Sequence, residues 1–77
     1  MKKQNSVHSP DFRLDDYMKD YPGGNARLAK RSNVSTTTIS KARSGNPILW
    51  KTGRALARGL GIEMEEVFEK YNYNDIR

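Results

Sequence analysis

Apolar residues recur at helical spacing from residue 14 onward. The first predicted helix starts after Ser9-Pro10-Asp11, because serine caps a helix, proline fits its first position and aspartate favours the positive end of the helix dipole. Pro22-Gly23-Gly24 ends this helix. Its apolar face, spaced i, i+3, i+4 and i+7, consists of Leu14, Tyr17, Met18 and Tyr21.

Two short helices joined by a tight turn are predicted between residues 25 and 44. The second helix begins at Asn25, whose side chain can cap its first turn. Asn33 tolerates the left-handed backbone that a tight turn needs. The third helix runs from about Thr36 to Arg43, with Ser35 as its cap and Gly45 as its stop. The small and apolar residues of the second helix are Ala26, Leu28 and Ala29, Val34 is expected to insert into the core, and Ile39 and Ala42 are expected to point inward.

Two further helices complete the predicted fold. The fourth runs roughly from Leu49 to Leu60 and the fifth from about Glu63 to Tyr71, the latter with Met64, Val67, Phe68 and Tyr71 on one face. No segment alternates with period two over a useful length, so no strand is predicted. We therefore expect an all-α fold, a compact bundle of about five short helices over residues 11–71, between a flexible N-terminal arm (1–10) and a frayed tail (72–77).

Composition limits the possible functions. The 77-residue chain has no cysteine, so disulfides and thiolate metal sites are excluded, and one histidine, His8, cannot form a zinc site or a catalytic pair alone. We expect no metal, no cofactor and no enzymatic activity. The mean hydropathy is −0.90 and no apolar run approaches the ~18 residues of a membrane span. Because no apolar stretch follows Lys2 and Lys3, we expect no secretory signal and a cytoplasmic location in a bacterial or phage-infected cell.

Charge is distributed unevenly along the chain. Residues 1–20 are neutral overall, residues 21–60 carry eight basic side chains and no acid, and residues 61–77 carry five acids against two basic residues. A basic stretch of this kind attracts a polyanion. The alternative is a solvated basic surface without a partner. Membrane binding is not expected, because the apolar faces of these short helices are needed for a core.

The segment between residues 25 and 44 resembles a helix-turn-helix of the Cro and lambda-type repressor family, also called the XRE family. The resemblance is carried by Leu28-Ala29, Val34-Ser35, Ile39-Ser40 and Gly45, and it continues into residues 57–68, which look like that family's fourth and fifth helices. It covers about residues 11 to 71. It implies a lambda repressor-like DNA-binding domain.

Three positions depart from the pattern of the family. Asn33 stands where the turn often has glycine, and Gly53 stands where the fourth helix often has a large aliphatic residue. Gly53 either weakens the core or permits a close approach. Arg43 stands where an acid often pairs with a basic residue of the first helix, so we expect a charge-swapped pair between Arg43 and one of Asp15, Asp16 and Asp20.

The resemblance assigns roles to particular residues. It places Thr36, Thr37, Ser40, Lys41 and Ser44 on the outward face of the third helix, where hydroxyls, threonine methyls and a lysine can contact base edges in the major groove. We expect base reading by the first four of these residues. Phosphate contacts are expected from Asn25, Ser44, Asn46, Arg27 and Lys51, and Arg31 and Arg54 add long-range attraction, unless these cations are only solvated surface charges.

Aromatic residues and the acidic C-terminal segment suggest protein contacts. Tyr17, Trp50 and Phe68 are expected in the core or at its edge. The fifth helix has more apolar residues than one small core needs, so Met64, Phe68, Tyr71 and Tyr73 are candidates for a homodimer interface. A two-fold dimer would place two recognition helices about 34 Å apart on a pseudo-palindromic site. The acidic C-terminal face is a candidate for another protein partner.

The expected function is a sequence-specific double-stranded DNA-binding regulator, in the manner of a stand-alone phage or prophage Cro-like repressor. Two other classes remain open. One is an antitoxin with the same fold that neutralises a toxin through its acidic C-terminal region. The other is an accessory recombination factor that bends DNA.

Overall fold

The computed structural model describes residues 6–71, which form four α-helices and a small antiparallel sheet. The elements in chain order are β1 (Ser6–His8), α1 (Arg13–Met18), α2 (Gly24–Ser32), α3 (Thr36–Arg43), β2 (Ile48–Leu49), α4 (Trp50–Leu60) and β3 (Glu69–Tyr71). Single 3-10 turns, Pro10–Phe12 and Met64–Glu66, precede α1 and β3. The expectation of an all-α fold is therefore wrong, because a three-stranded sheet accompanies the helices.

The sheet joins three segments that are distant in sequence. β1 lies in the middle, in the order β2-β1-β3, and Val7 is opposite both Ile48 of β2 and Lys70 of β3. Val7 is 4% exposed and belongs to the hydrophobic core. Residues 6–10 are thus part of the folded domain and not of a flexible arm, and the expectation for them is wrong. Residues 1–5, with Lys2 and Lys3, lie outside the described part, as do residues 72–77.

α4 lies close to β1 at a buried glycine. A Cβ atom on Gly53 would be 2.6 Å from Cγ2 of Val7, so this position has no room for a side chain without displacement. Of the two interpretations of Gly53, the close approach is confirmed. α4 itself has nearly the predicted bounds and ends at Gly61, whose φ of 77° is the left-handed conformation that glycine adopts without strain.

The entry to α1 differs from the prediction. The buried Ser9 hydroxyl accepts a hydrogen bond from the Leu14 N–H at 2.8 Å, but the regular helix starts only at Arg13. In between, Asp11 and Phe12 have φ values of 55° and 56°. A left-handed backbone is unusual for a bulky residue such as phenylalanine, so this break could not be predicted from the residue types.

The predicted fifth helix is absent. Met64–Glu66 instead form a 3-10 turn, Val67 and Phe68 follow as two adjacent buried residues, and Glu69–Tyr71 form β3. Reciprocal capping between Glu63 and Glu66 stabilises the single turn. A helix of this length is marginal alone, and pairing of the next residues with β1 satisfies their backbone groups instead.

One hydrophobic core lies between the helices and the sheet. Phe68 is 3% exposed, as expected, but Tyr17 and Trp50 are 41% and 42% exposed, so their assignment to the core is wrong. α2 and α4 pack closely, because a Cβ on Gly59 would be 3.0 Å from Cδ1 of Leu28. The buried core residues are Val7, Leu14, Met18, Leu28, Ile39, Ala42, Ile48, Leu56, Val67 and Phe68.

Candidate nucleic-acid interface

α2, a tight turn and α3 form the two-helix unit predicted between residues 25 and 44. α2 ends at Asn33, which has φ 61° and ψ 35° and whose N–H donates to the Ala29 carbonyl at 2.8 Å. The hydroxyl of Ser35 accepts a hydrogen bond from the Thr38 N–H at 3.2 Å and caps α3. The turn at Asn33, the cap at Ser35 and the bounds of α3 are thereby confirmed.

The two sides of α3 differ sharply in exposure. Ile39 and Ala42 are 0% exposed and hold the helix against the core. The opposite side presents hydroxyls and one ammonium group, with no acid among them. We call this surface the α3 face; it consists of the exposed residues Thr36, Thr37, Ser40, Lys41 and Ser44. The predicted outward orientation of these side chains is confirmed, while their contact with bases stays a prediction.

Arg43 connects the two-helix unit of α2 and α3 to α1. Its Nε and Nη2 both lie 2.8 Å from Oδ1 of Asp15, and its Nη1 donates to Oδ1 of Asn25 at 2.9 Å. The charge-swapped pair expected for Arg43 is therefore confirmed, with Asp15 as the acid. Because both partners are partly buried and one guanidinium reaches two other helices, this contact fixes α3 relative to α1 and α2.

Asn25 does not cap α2 as predicted, and its expected phosphate contact stays a prediction. Gly23 holds the cap position of α2, and Asn25 lies inside the first turn. Besides accepting from Arg43, the Asn25 amide donates to the Ser40 hydroxyl at 3.2 Å. Its side chain therefore links α2 to α3, a function that sequence reasoning missed because both partners are distant along the chain. A phosphate could still approach the backbone N–H groups of this helix start.

The other candidates for phosphate contact are all exposed. Ser44 ends α3, where its hydroxyl donates to the Ser40 carbonyl at 3.1 Å, and Asn46 follows in the loop. Arg27 is on the outer side of α2. Lys51 lies in the first turn of α4, where it lines a groove together with Arg31, Arg54 and Arg58.

Phe12 is a candidate contact residue of this interface that sequence reasoning did not identify. Its side chain is 62% exposed, and residues 8–12 border a shallow pocket with Ser44 and Gly45 at the end of α3. With a positive φ at Phe12, this apolar side chain lies beside the end of α3. No periodic pattern in the sequence marks such a residue.

The structure changes the candidate dimer interface. Phe68 is buried in the core of the monomer, and Met64 packs against that core. Tyr71 is half-buried in β3, where its ring meets that of His8 edge-on at 5.4 Å; His8 is thus ordered in β1. Tyr73 lies outside the described residues. The helical face predicted to carry Met64, Phe68 and Tyr71 is absent, because residues 64–71 form a 3-10 turn and β3.

Several acids of the C-terminal region make contacts within the chain. Glu63 and Glu66 cap the 3-10 turn, and Glu69 pairs with Arg13 at 3.1 Å. Within residues 6–71 no group of three or more His, Asp or Glu side chains is arranged to hold a metal ion. None of the helices described there has the length and apolar character needed to cross a membrane.

Comparisons with protein-family models, with curated proteins and with solved structures found no match for this chain. The geometry of the α3 face and the charges around it therefore carry the functional argument.

Proposed function

We propose that this protein is a sequence-specific double-stranded DNA-binding regulator that inserts α3 into the major groove. The observation that carries the proposal is the α3 face, where short hydroxyl side chains and Lys41 project from a helix whose other side is fully buried. Hydroxyls can donate and accept hydrogen bonds, and lysine can donate to guanine O6 and N7.

Anchoring of α3 supports base reading. The Arg43 contacts to Asp15 and Asn25 and the Asn25 contact to Ser40 restrict how α3 can tilt. A site that discriminates bases needs such fixed geometry, because each hydrogen bond to a base edge depends on distance and direction. The acid-free stretch of residues 21–60 supplies the attraction to phosphates.

The proposal includes a two-fold dimer on a pseudo-palindromic operator, acting as a repressor by occupying it. No second function is proposed, since three of the five C-terminal acids that a toxin-binding role would use make contacts within the chain.

Selection from a pool of random duplex DNA at about 150 mM salt, followed by sequencing, tests the proposal. We expect an enriched motif with two-fold symmetry. The double variant Thr37→Ala/Lys41→Ala should lose or change that motif, whereas Lys19→Ala, which removes an exposed cation just after α1, should recover the wild-type motif.

Failure to enrich any motif, with binding that disappears as salt rises, would contradict sequence-specific recognition. A motif without two-fold symmetry would contradict the dimer alone.

A further inference from the structure

An open groove runs between the end of α2 and the outer side of α4. It has a volume of about 520 Å³ and is lined by Arg31, Ser32, Lys51, Arg54, Ala55 and Arg58. We call it the basic groove. A Cβ on Gly59 would lie 3.0 Å from Cδ1 of Leu28 and 3.3 Å from Cβ of Ser32, so α2 and α4 are in close contact there. This contact sets the separation of the two groove walls.

None of the four cations of the basic groove forms an ion pair with an acid of residues 6–71, but Arg54 and Arg58 border a neighbouring pocket together with Glu63 and Glu65. The ion pairs within residues 6–71 engage Arg13, Lys19 and Arg43 and reach none of the groove cations. The one contact that any of them makes with an aromatic ring is that of Arg54, 5.4 Å from the ring centroid of Trp50. Four like charges around one groove repel one another and attract an anion with several charges.

The spacing of the cations on α4 suits a linear polyanion. Lys51, Arg54 and Arg58 follow one another at i, i+3 and i+7, so they share one side of the helix. At about 1.5 Å rise per residue the first and last lie roughly 10 Å apart along the helix axis, a length over which one strand of a DNA duplex carries about three phosphates, one per ~3.4 Å of duplex axis. Arg31 faces them from α2.

We propose that the basic groove binds the phosphate backbone of duplex DNA as a second contact surface, separate from the α3 face. This inference rests on the proposed function only in taking DNA as the partner. Contacts from arginine and lysine to phosphates carry no sequence information, so the groove adds affinity and not specificity. The phosphates come either from the flank of the duplex that α3 reads or from a second duplex.

The salt dependence of binding to random-sequence duplex DNA tests the basic groove. Each phosphate contact contributes about 0.9 to the slope of log K against log salt, so Arg31→Gln/Arg58→Gln should reduce its magnitude by about 1.8. The matched control Lys30→Gln/Lys70→Gln removes the same charge from two exposed residues that do not line the groove. The control should change the slope by less than about 0.5. Circular dichroism during heating checks that both variants fold.

Equal changes of slope in both double variants would overturn the proposal, because the effect would then belong to the net charge alone. Absence of binding to any duplex would overturn it as well. If wild-type protein enriches no motif but the slope still falls only in the groove variant, the α3 proposal fails while the basic groove stands. If a motif is enriched and the two variants behave alike, the proposal for the basic groove fails while the proposal for the α3 face stands.

Duplex length distinguishes the two sources of phosphate. If the groove binds the flank of the same duplex, the groove variant should lose affinity on a duplex of about 30 base pairs and not on one of about 12, roughly one turn. If it binds a second duplex, wild-type protein should bring two fluorescently labelled short duplexes together and the groove variant should not. Either result supports the groove, and loss in neither assay overturns it.

Discussion

The α3 face and the basic groove are both exposed and free of acids, yet they differ in chemistry. The α3 face has four hydroxyl groups and one ammonium group on a helix anchored by two fully buried residues. The basic groove has four long cationic side chains that form no ion pair within residues 6–71, and only Arg54 contacts an aromatic ring there, that of Trp50. Short groups on a fixed helix can distinguish hydrogen-bonding patterns, whereas long flexible cations attract phosphates irrespective of sequence. A small domain can in this way use one surface to distinguish bases and another to attract phosphates.

The two surfaces also depend on different internal contacts. The α3 face depends on the Arg43 contacts and on the packing of α3 against the core, while the walls of the basic groove depend on the close approach of α2 and α4 at Gly59. α2 supports both surfaces, because its Asn25 contacts Ser40 and Arg43 of α3 and its Arg31 lines the basic groove. Changes in α2 should therefore affect both, and changes at Arg43 should affect mainly one.

The largest effect is expected from Ala29→Glu. Ala29 lies in α2, partly buried and packed against the core, so a carboxylate there would lose hydration without gaining a partner. We expect a loss of about 3 kcal/mol or more, comparable with the whole stability of a domain of this size. Urea unfolding followed by circular dichroism measures it, and binding at both surfaces should fail.

Ala26→Glu is the matched control for that variant. Ala26 is exposed in the first turn of the same helix, where an acid favours the helix dipole, so the free energy of unfolding should change by less than about 0.5 kcal/mol. If Ala29→Glu were as stable as Ala26→Glu, the packing of α2 described above would be wrong.

A smaller effect is expected from Arg43→Ala. This change removes the contacts to Asp15 and Asn25, which are partly buried and charge-assisted, and should cost about 1–2 kcal/mol of unfolding free energy. Because α3 would be less constrained, the affinity for a selected DNA site should fall more than the affinity for random DNA. Chemical denaturation and fluorescence anisotropy measure the two quantities.

Lys19→Ala provides the comparison for Arg43→Ala. Lys19 pairs with Asp16 at 3.2 Å, but both side chains are about two-thirds exposed. Exposed pairs of this kind contribute roughly 0–1 kcal/mol, so this variant should resemble wild type. Unchanged stability and unchanged DNA affinity in Arg43→Ala would show that the contact between α1 and α3 has no structural role.

Features of this fold that depend on neighbours in sequence were predictable, whereas those that depend on distant partners were not. The bounds of α3 follow from Ser35 and Gly45 on either side of it. The pair of Arg43 with Asp15, 28 residues apart, is the exception among distant contacts, because the family resemblance marked Arg43 and the first helix offers acids. β1 and β2 have three and two residues, too few to show a period of two, and they form only because they meet across the fold.

The same distinction applies to the two surfaces. The α3 face was expected from the family resemblance, and the complete burial of Ile39 and Ala42 on the other side of the helix agrees with that expectation. Arg31, Lys51 and Arg54 were expected only to attract phosphates, and the groove that joins them with Arg58 could not be predicted because it depends on how α2 packs on α4. Exposed Trp50 shows the limit of the periodic pattern, since an aromatic residue near an apolar stripe need not be buried.

The most discriminating comparison is that between Lys41→Ala and Lys51→Ala, neither of which should change the stability of the fold. Both lysines are exposed on helices, one on the α3 face and one in the basic groove. If Lys41 reads a base, its loss should cost about 1–3 kcal/mol on the selected site and much less on random DNA, relaxing the preference at one position. Loss of Lys51 should weaken binding to every duplex alike and reduce the salt slope by about 0.9. Affinities of both variants for selected and random duplexes across a salt series measure the difference. A uniform loss for Lys41→Ala would assign Lys41 to the phosphates and leave base reading to the hydroxyls of the α3 face.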